Sequence, residues 1–171
     1  MDLAYTTEQD MLAESIQRFI ATEYDLSNRK NLVASDLGYS AQHWQTFAEL
    51  GWLGMSIPEA YGGLGGDLVD TMIMFEEFGK ALVVEPYLSS VVMSGTILEG
   101  SNIPEKSDII EKIISGEQQV SVAYAEPNIG YNFLDCHTAL SNDADGYSLN
   151  GSKSLVLNGG NANKFIVLAT H

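Results

Sequence analysis

Of the side chains that could bind a metal, move a proton or attack a substrate, four are considered first: His43, His137, Cys136 and Glu126. Neither histidine has a partner at the spacing of a metal ligand or a catalytic pair, so no metal or base role is predicted for them. Cys136 has no histidine or cation arranged to activate it, and we expect an idle or buried thiol. Glu126 precedes Pro127 and is expected to stabilise the turn there. The sequence thus predicts no catalytic residue and no metal ligand.

Glycine-rich loops can also bind phosphate, and this chain has glycine at positions 62, 63, 65 and 66. No Gly-Lys-Ser or Gly-Lys-Thr follows them, so the pattern is not that of a phosphate-binding loop. Because each glycine would lose backbone entropy in a helix, we expect residues 52–66 to be a connection between helices.

Residues 1–117 have the periodicity of helices. Thr6 or Thr7 is the expected N-cap of the first helix, with Gln9 or Asp10 three positions on completing a capping box. The buried face of this helix recurs at helical spacing, as Leu12, Ile16, Phe19 and Ile20. Four more helices are predicted. They run from Ser40 to Gly51, from Asp67 to Leu82, from Pro86 to Leu98 and from Pro104 to Gly116.

The last third of the chain has the pattern of short strands. Val120, Val122 and Tyr124 alternate with small residues, which is typical of a strand. Asp145-Gly146 and Asn150-Gly151 are strong hairpin signals. The further predicted strands are 138–140, 147–149, 152–157 and 165–169. The last of these alternates little, so we expect it to be buried on both faces.

Helices first and strands second predict an α+β fold. We expect a helical domain at residues 1–117, followed at residues 118–171 by an incomplete antiparallel β-sheet or barrel. The β domain is predicted to be incomplete because the final strand has no sequence after it and would leave an open sheet edge.

The composition limits the class of protein. With 171 residues, 45% of them hydrophobic, the chain can form a real core, and no run of about 20 apolar residues could span a membrane. Its 8 Lys and Arg against 23 Asp and Glu give a formal charge of −15, which disfavours nucleic-acid binding and an acidic membrane surface. The acidity serves solubility, or else marks an acidic docking face or a salt-loving host. One cysteine and no recognisable presequence predict a cytoplasmic protein.

Three features together resemble one known family. Residues 50–66, Leu-Gly-Trp-Leu-Gly-Met-Ser-Ile-Pro-Glu-Ala-Tyr-Gly-Gly-Leu-Gly-Gly, are similar to a loop between helices of the acyl-CoA dehydrogenases. The run Leu-Asn-Gly-Ser-Lys at 149–153 resembles the hairpin of that family's β domain. The order of helices before strands is also the same. The resemblance covers essentially the whole chain.

This resemblance implies a flavoenzyme. Members of the family hold FAD between the β domain and a C-terminal four-helix bundle. A glutamate of that bundle removes the α-proton of an acyl-CoA thioester, while a hydride passes to the flavin. The electrons leave through an electron-transfer flavoprotein. Because the bundle is absent from these 171 residues, we expect them to be inactive on their own.

The same resemblance implies the site residues: Tyr124, Ala125, Leu155 and Leu157 would bind the cofactor, and Tyr131 the substrate. Members usually have threonine in place of Ala125, serine in place of Tyr131, an aromatic residue in place of Leu155 and threonine in place of Leu157. Each lost hydrogen bond costs about 0.5–1.5 kcal/mol, so the FAD site is expected to be weakened, by roughly 100-fold or more. Backbone amides at Tyr124 and Ala125 would still contribute.

Residues 153–157 and 81–88 resemble the small subunit of pimeloyl-CoA dehydrogenase. In such heteromers one subunit type keeps a degenerate flavin site and pairs with a fuller partner. The first hypothesis is therefore a small subunit acting on a medium-chain, dicarboxyl, ring-cleavage or steroid-side-chain acyl-CoA. The alternatives that remain open are a homo-oligomeric acyl-CoA dehydrogenase with variant FAD contacts, a non-catalytic structural partner subunit, and a family relative with flavin monooxygenase chemistry.

Overall fold

The computed structural model describes residues 4–127, 132, 135–143 and 146–171. Its helices are α1 (Thr7–Glu23), α2 (Leu26–Ala34), α3 (Ala41–Glu49), α4 (Leu68–Ala81), α5 (Ser94–Gly100) and α6 (Lys106–Ile114). Its strands are β1 (Val120–Ala123), β2 (Ala139–Asp143), β3 (Gly146–Asn150) and β4 (Lys164–Val167). The predicted α+β fold is confirmed, and the described strands form two small sheets without closing a barrel. No helix within the described ranges is long and apolar enough to cross a bilayer.

The predicted N-caps define where three helices begin. Thr6 caps α1 in a full capping box, in which its Oγ1 accepts from the N–H of Gln9 at 3.2 Å and its own N–H donates to Gln9 Oε1 at 3.1 Å. Ser40 caps α3 by accepting from the N–H of His43 at 3.1 Å. Asp67 caps α4 by accepting from two first-turn amides at 2.7 and 3.2 Å. Each cap satisfies an amide that has no partner inside its helix.

Helix α2 is missing from the sequence-based prediction. None of its side chains is buried, so it has no apolar periodicity by which to recognise it. Asp25 caps it by accepting from the N–H of Asn28 at 2.7 Å, and Arg29 Nε donates to the carbonyl oxygen of Leu82 at 2.9 Å. The helix is therefore held by polar contacts rather than by a buried face.

The core lies in the helical part and is rich in aromatic rings. Phe47 and Phe78 stack with 5.3 Å between their ring centroids, and Trp52 is tilted against both. The hydroxyl of Tyr87 donates to the carbonyl oxygen of Trp52 at 3.1 Å, so its polar end is satisfied although the side chain is buried. Aromatic side chains bury the largest apolar areas, and this cluster therefore fixes α3, α4 and the chain at residue 87 relative to one another.

The connection at residues 52–66 is confirmed and contains two 3₁₀ turns, Trp52–Gly54 and Glu59–Tyr61. Two of its glycines are required by geometry. Gly62 has a φ of 82°, in the left-handed region that favours glycine. A Cβ on Gly63 would lie 1.9 Å from the carbonyl oxygen of Ile57. The glycine run thus serves a tight turn.

The helix predicted from Pro86 to Leu98 has two parts. A π-helical segment, Leu88–Met93, continues directly into α5. At the junction, Oγ of Ser94 lies 2.7 Å from the carbonyl oxygen of Ser89 and 2.9 Å from that of Val120. One buried hydroxyl therefore links the π-helical segment to β1.

The two sheets differ in direction. β2 and β3 form the predicted antiparallel hairpin, paired from Ala139 with Asn150 to Asp143 with Gly146. β1 and β4 pair in parallel, with Val120 opposite Lys164, which the antiparallel expectation did not include. Parallel neighbours need a long crossover, and the hairpin with the chain at 151–163 lies between these two strands in sequence.

Two predictions about the strands are wrong. Residues 152–157 do not form a strand, because Leu155 has a φ of 51°, which an extended strand does not allow. The last strand is not buried on both faces, since Phe165 is 48% exposed. A two-stranded pair leaves one face open, so a continuous apolar run here does not report burial.

Candidate functional site

The structure brings four of the five predicted site residues together. The four are Tyr124, Ala125, Leu155 and Leu157. They lie on two stretches of chain, residues 124–126 directly after β1 and residues 153–157, which we call the first and second paired segments. The N–H of Ser154 donates to the carbonyl oxygen of Ala125 at 2.9 Å, so the two segments are in direct contact. The fifth predicted residue, Tyr131, lies outside the described residues.

The second paired segment presents an apolar face to the outside. Leu155 is 87% exposed and has a left-handed φ of 51°, while Leu157 is 48% exposed. Asn158, which follows, has a φ of 57°. A left-handed conformation is uncommon for leucine and costs of order 1–3 kcal/mol, and such strain is concentrated at functional sites. The combination of strain and exposure therefore marks this segment as a candidate ligand surface.

The first paired segment offers a backbone donor. The carbonyl oxygen of Ala125 accepts from Ser154, but its N–H donates to no atom within the described ranges. Backbone N–H groups are strong donors and are usually paired when they are shielded from water. This amide, beside an apolar face, can therefore donate to an acceptor atom of a ligand.

Glu126 is the most heavily hydrogen-bonded side chain near the paired segments. Its Oε1 accepts from Lys153 Nζ at 2.7 Å and from the N–H and Oγ1 of Thr138 at 2.8 and 2.6 Å, and its Oε2 accepts from the N–H of His137 at 2.8 Å. The bond from Lys153 is the first of several that hold the pKa of Glu126 well below its usual range. The partners of Glu126 lie across the fold, rather than only in the turn with Pro127.

Cys136 has the cationic neighbour that its sequence position does not reveal. Its Sγ lies 3.4 Å from Lys153 Nζ and 3.3 Å from Glu126 Oε1. It also lies 3.3 Å from the carbonyl oxygen of Leu168. Cys136 and Lys153 are 17 positions apart in the sequence, which explains why no local motif signals this contact.

A second buried carboxylate, Glu85, lies in the helical part. Its Oε2 accepts from the hydroxyl of Tyr24, and its Oε1 lies 3.3 Å from both the N–H of Ser40 and Nδ1 of His43. His43 Nε2 is 3.6 Å from Glu23 Oε2. His43 therefore has carboxylate neighbours that lie far from it in the sequence.

The two groups titrate in ways that follow from their burial. Burial raises the pKa of Glu85 to about 7, against the opposite effect of its backbone hydrogen bonds. Burial also lowers the pKa of His43, against a smaller raising effect from Glu23.

A cavity of about 380 Å³ separates Glu85 from the second paired segment. Its walls come from the helical part and from the turn after Leu157, and they include Leu37, Tyr39, Pro86, Leu88, Asn158 and Asn161. Glu85 and Leu157 therefore border one space.

An amide network fixes the turn that carries Leu157. Asn158 Nδ2 donates to Gln119 Oε1 at 2.8 Å, and Gln119 Nε2 donates to the hydroxyl of Tyr39 at 2.8 Å. Asn161 Nδ2 donates to the carbonyl oxygen of Leu37 at 2.8 Å. These contacts tie the turn to the helical part, across 80 residues of sequence in the case of Gln119 and Tyr39.

The helical part is also the region recognised by comparison with known families. The profile named "Acyl-CoA dehydrogenase, N-terminal domain" matches residues 6–117, which is more than half of the chain. The chain belongs to the acyl-CoA dehydrogenase family. This confirms the family that the sequence motifs resemble. FAD is the cofactor of that family.

Among acyl-CoA dehydrogenases, one similar protein is FadE26 of Mycobacterium tuberculosis, which is 28% identical over 158 residues. That match covers 90% of this chain but 40% of FadE26. The chain thus spans well under half the length of the curated relatives it matches, and the activity, substrate and partners of the whole protein are matters for proposal.

Two solved structures illustrate the shared fold. The ChsE4–ChsE5 complex from Mycobacterium tuberculosis matches with a TM-score of 0.86 at 22% identity, covering 99% of this chain and 45% of the other. An acyl-CoA dehydrogenase complexed with FAD from Bacillus anthracis matches with a TM-score of 0.85 at 29% identity, covering 96% of this chain and 29% of the other.

Proposed function

We propose that this chain is part of an FAD-dependent acyl-CoA dehydrogenase subunit that oxidises an acyl-CoA thioester between its α and β carbons. The observation that carries the proposal is the arrangement of the paired segments. They place an N–H without a described acceptor, that of Ala125, next to the exposed and strained Leu155. In a family whose cofactor is FAD, this is the surface we assign to the flavin.

The residues present fit a flavin in chemical terms. The ring of FAD is flat and apolar on its faces and carries acceptors on one edge, which suits Leu155 and Leu157 for the face and the amide of Ala125 for the edge. FAD, when bound, supplies the acceptor for the substrate hydride. The side chains of this chain bind and orient it, and they exclude water on the side of the paired segments.

We propose that this site binds FAD weakly. Ala125, Leu155 and Leu157 offer no side-chain donor, so the flavin would depend on backbone amides and apolar contact. Substrate contact is assigned to Tyr131, with the cavity beside Glu85 adjoining the same surface.

A heteromeric assembly accounts for a weak site, because a partner subunit can complete it. We propose that this chain is the small-subunit type and that electrons pass to an electron-transfer flavoprotein. The solved ChsE4–ChsE5 complex, which shares this fold, contains two named components. A homo-oligomeric enzyme with variant FAD contacts and a structural partner subunit are the competing hypotheses, and the experiment below separates them.

The test is to isolate the tagged protein from its source cells together with whatever binds it, and to measure FAD per chain and acyl-CoA oxidation. A different acyl-CoA dehydrogenase subunit, less than one FAD per chain and measurable turnover are expected. One FAD in every chain of a single-component active enzyme would support the homo-oligomer instead. No FAD and an activity that does not respond to Leu155→Asp would leave the structural role. We expect the 171 residues alone to show no turnover with an acyl-CoA and an electron acceptor.

A further inference from the structure

We propose that the ion pair between Glu126 and Lys153 positions the paired segments against each other, and thereby positions the FAD assigned to them. The identity of the cofactor rests on the proposed function, whereas the contact itself lies between described residues.

Each partner of the ion pair is a direct neighbour of the residues it would position. Glu126 follows Ala125, and Lys153 precedes Ser154, whose N–H donates to the carbonyl oxygen of Ala125 at 2.9 Å. Lys153 Nζ lies 2.7 Å from Glu126 Oε1 and 3.4 Å from the carbonyl oxygen of Tyr124. One ammonium group therefore contacts both a side chain and the backbone of the first segment.

Both partners of this ion pair are largely buried, so each charge requires the other. The exposed fractions of the two side chains are 9% for Lys153 and 4% for Glu126. Because a buried charge without a partner is costly, each group restricts the other to one place. Glu126 is itself held by Thr138 and by the N–H of His137. The carboxylate is thus a fixed point, and Lys153 fixes the second segment to it.

Another ion pair in the chain has the same length but connects two residues of a single helix. Lys80 Nζ lies 2.7 Å from Glu77 Oε1, but the two residues are three positions apart on α4, and Lys80 is 53% exposed. Glu126 and Lys153, by contrast, are 27 positions apart and connect two separate segments. Lys80→Met is therefore a control that removes an equivalent contact away from the paired segments.

The experiment is a titration of FAD, followed by flavin fluorescence, into the protein isolated with its partners and stripped of cofactor. The main variant is Glu126→Gln with Lys153→Met, which removes both charges and leaves neither unpaired. We expect its Kd for FAD to rise about 10- to 100-fold, because small misplacements of positioning groups have effects of that size. Lys80→Met should leave the Kd within about twofold. Lys153→Arg, which keeps the charge, should recover most of the affinity.

A second measurement does not depend on FAD. Hydrogen exchange of the Ser154 amide, in protein without cofactor, reports whether the paired segments stay in contact. We expect this amide to exchange at least about tenfold faster in the double variant than in the unmodified protein or in Lys80→Met.

Either of two results would overturn the proposal: an unchanged Kd for FAD in the double variant, or unchanged exchange of the Ser154 amide. If the unmodified protein binds no FAD, the proposed function fails, and the exchange measurement alone decides whether the ion pair holds the segments. Should the double variant not fold, Lys153→Met alone replaces it, because it removes the contact while Glu126 keeps its hydrogen bonds from Thr138 and from the N–H of His137. Wild-type affinity and exchange in Lys153→Met would contradict the proposal equally.

Discussion

Two glutamates of this chain, Glu126 and Glu85, are equally shielded from water but opposite in electrostatics. Their side chains are 4% and 0% exposed. The hydrogen bond from Lys153 is the main reason that the pKa of Glu126 is low, whereas burial raises the pKa of Glu85 to about 7. The two carboxylates thus differ in their partners, since a fixed ammonium faces Glu126 and none faces Glu85 among the described residues.

The surroundings of the two groups explain the contrast. Glu85 receives hydrogen bonds from Tyr24 and Ser40, which are neutral donors. Among the described residues, the one neighbour of Glu85 that can carry a positive charge is His43. Burial lowers the pKa of that histidine, so it is neutral at pH 7. Glu85 therefore has polar neighbours but no permanently charged cation beside it among the described residues.

The largest effect is expected from Glu126→Gln. This substitution leaves Lys153 nearly buried without its counter-charge, which is among the most destabilising changes in a folded protein. We expect the melting temperature to fall by about 5–10 °C. Thermal unfolding followed by circular dichroism at pH 7 measures this, with Glu77→Gln as the matched control on α4. A fall of the same size in the control, or none in Glu126→Gln, would show that the contrast between the two glutamates is not due to Lys153.

Glu85→Gln, unlike Glu126→Gln, should stabilise the protein, and the size of this effect should depend on pH. A carboxyl with a raised pKa contributes stability that is complete below about pH 4.5 and is lost as the pH rises through about 7. The free energy of unfolding should therefore decrease by about 1.4 kcal/mol per pH unit at most, and by about 3.4 kcal/mol at most over this window. The amide of Gln cannot ionise, so the variant should lose this dependence.

Urea unfolding at pH 5, 6, 7 and 8 measures the difference between Glu85→Gln and the unmodified protein. The variant is expected to be the more stable of the two at pH 8. Parallel curves across the whole range would mean that Glu85 is already ionised in the folded protein at pH 5.

A smaller effect is expected from His43→Phe. The ring of His43 packs edge-on against Phe19 with 5.3 Å between centroids, and a phenyl ring can keep that contact. Since His43 is neutral at pH 7, its removal should change the pKa of Glu85 by less than about one unit. Carbon-13 NMR of the Glu85 carboxyl reports this pKa. An increase well beyond one unit would identify His43 as a cation that partners Glu85, which would remove the contrast with Glu126.

The smallest effect is expected from Lys80→Met. The ion pair of Lys80 with Glu77 is as short as that of Lys153 with Glu126, but Lys80 is 53% exposed and water screens it. We expect a change of about 1–2 °C in the melting temperature. A drop as large as that of Glu126→Gln would mean that distance, rather than burial of both partners, sets the strength of these pairs.

Local signals predicted much of the helical part. Thr6, Ser40 and Asp67 each cap the helix that their position in the sequence indicates, because capping depends on residues two or three positions apart. The tight turn at Gly62 and Gly63 is equally local. Helix α2 escapes such reasoning because none of its side chains is buried.

The candidate site was predicted only in outline. Resemblance to the family predicted Ala125 and Leu155, and the structure places them on neighbouring segments. The left-handed conformation of Leu155 has no sequence signal, since leucine normally avoids it. The contacts of Glu126 with Lys153 and of Glu85 with His43 join residues far apart in the chain, so spacing rules that work within one helix do not detect them.

The most direct test of the account restores the residues that the family usually has at the paired segments. In the protein isolated with its partners, the Kd for FAD would be compared between the unmodified chain and Ala125→Thr with Leu155→Trp and Leu157→Thr. If the flavin lies on this surface and is weakly held there, the triple variant should bind FAD about 100-fold more tightly. An unchanged or weaker affinity in a folded triple variant would show that the paired segments are not where this protein holds FAD.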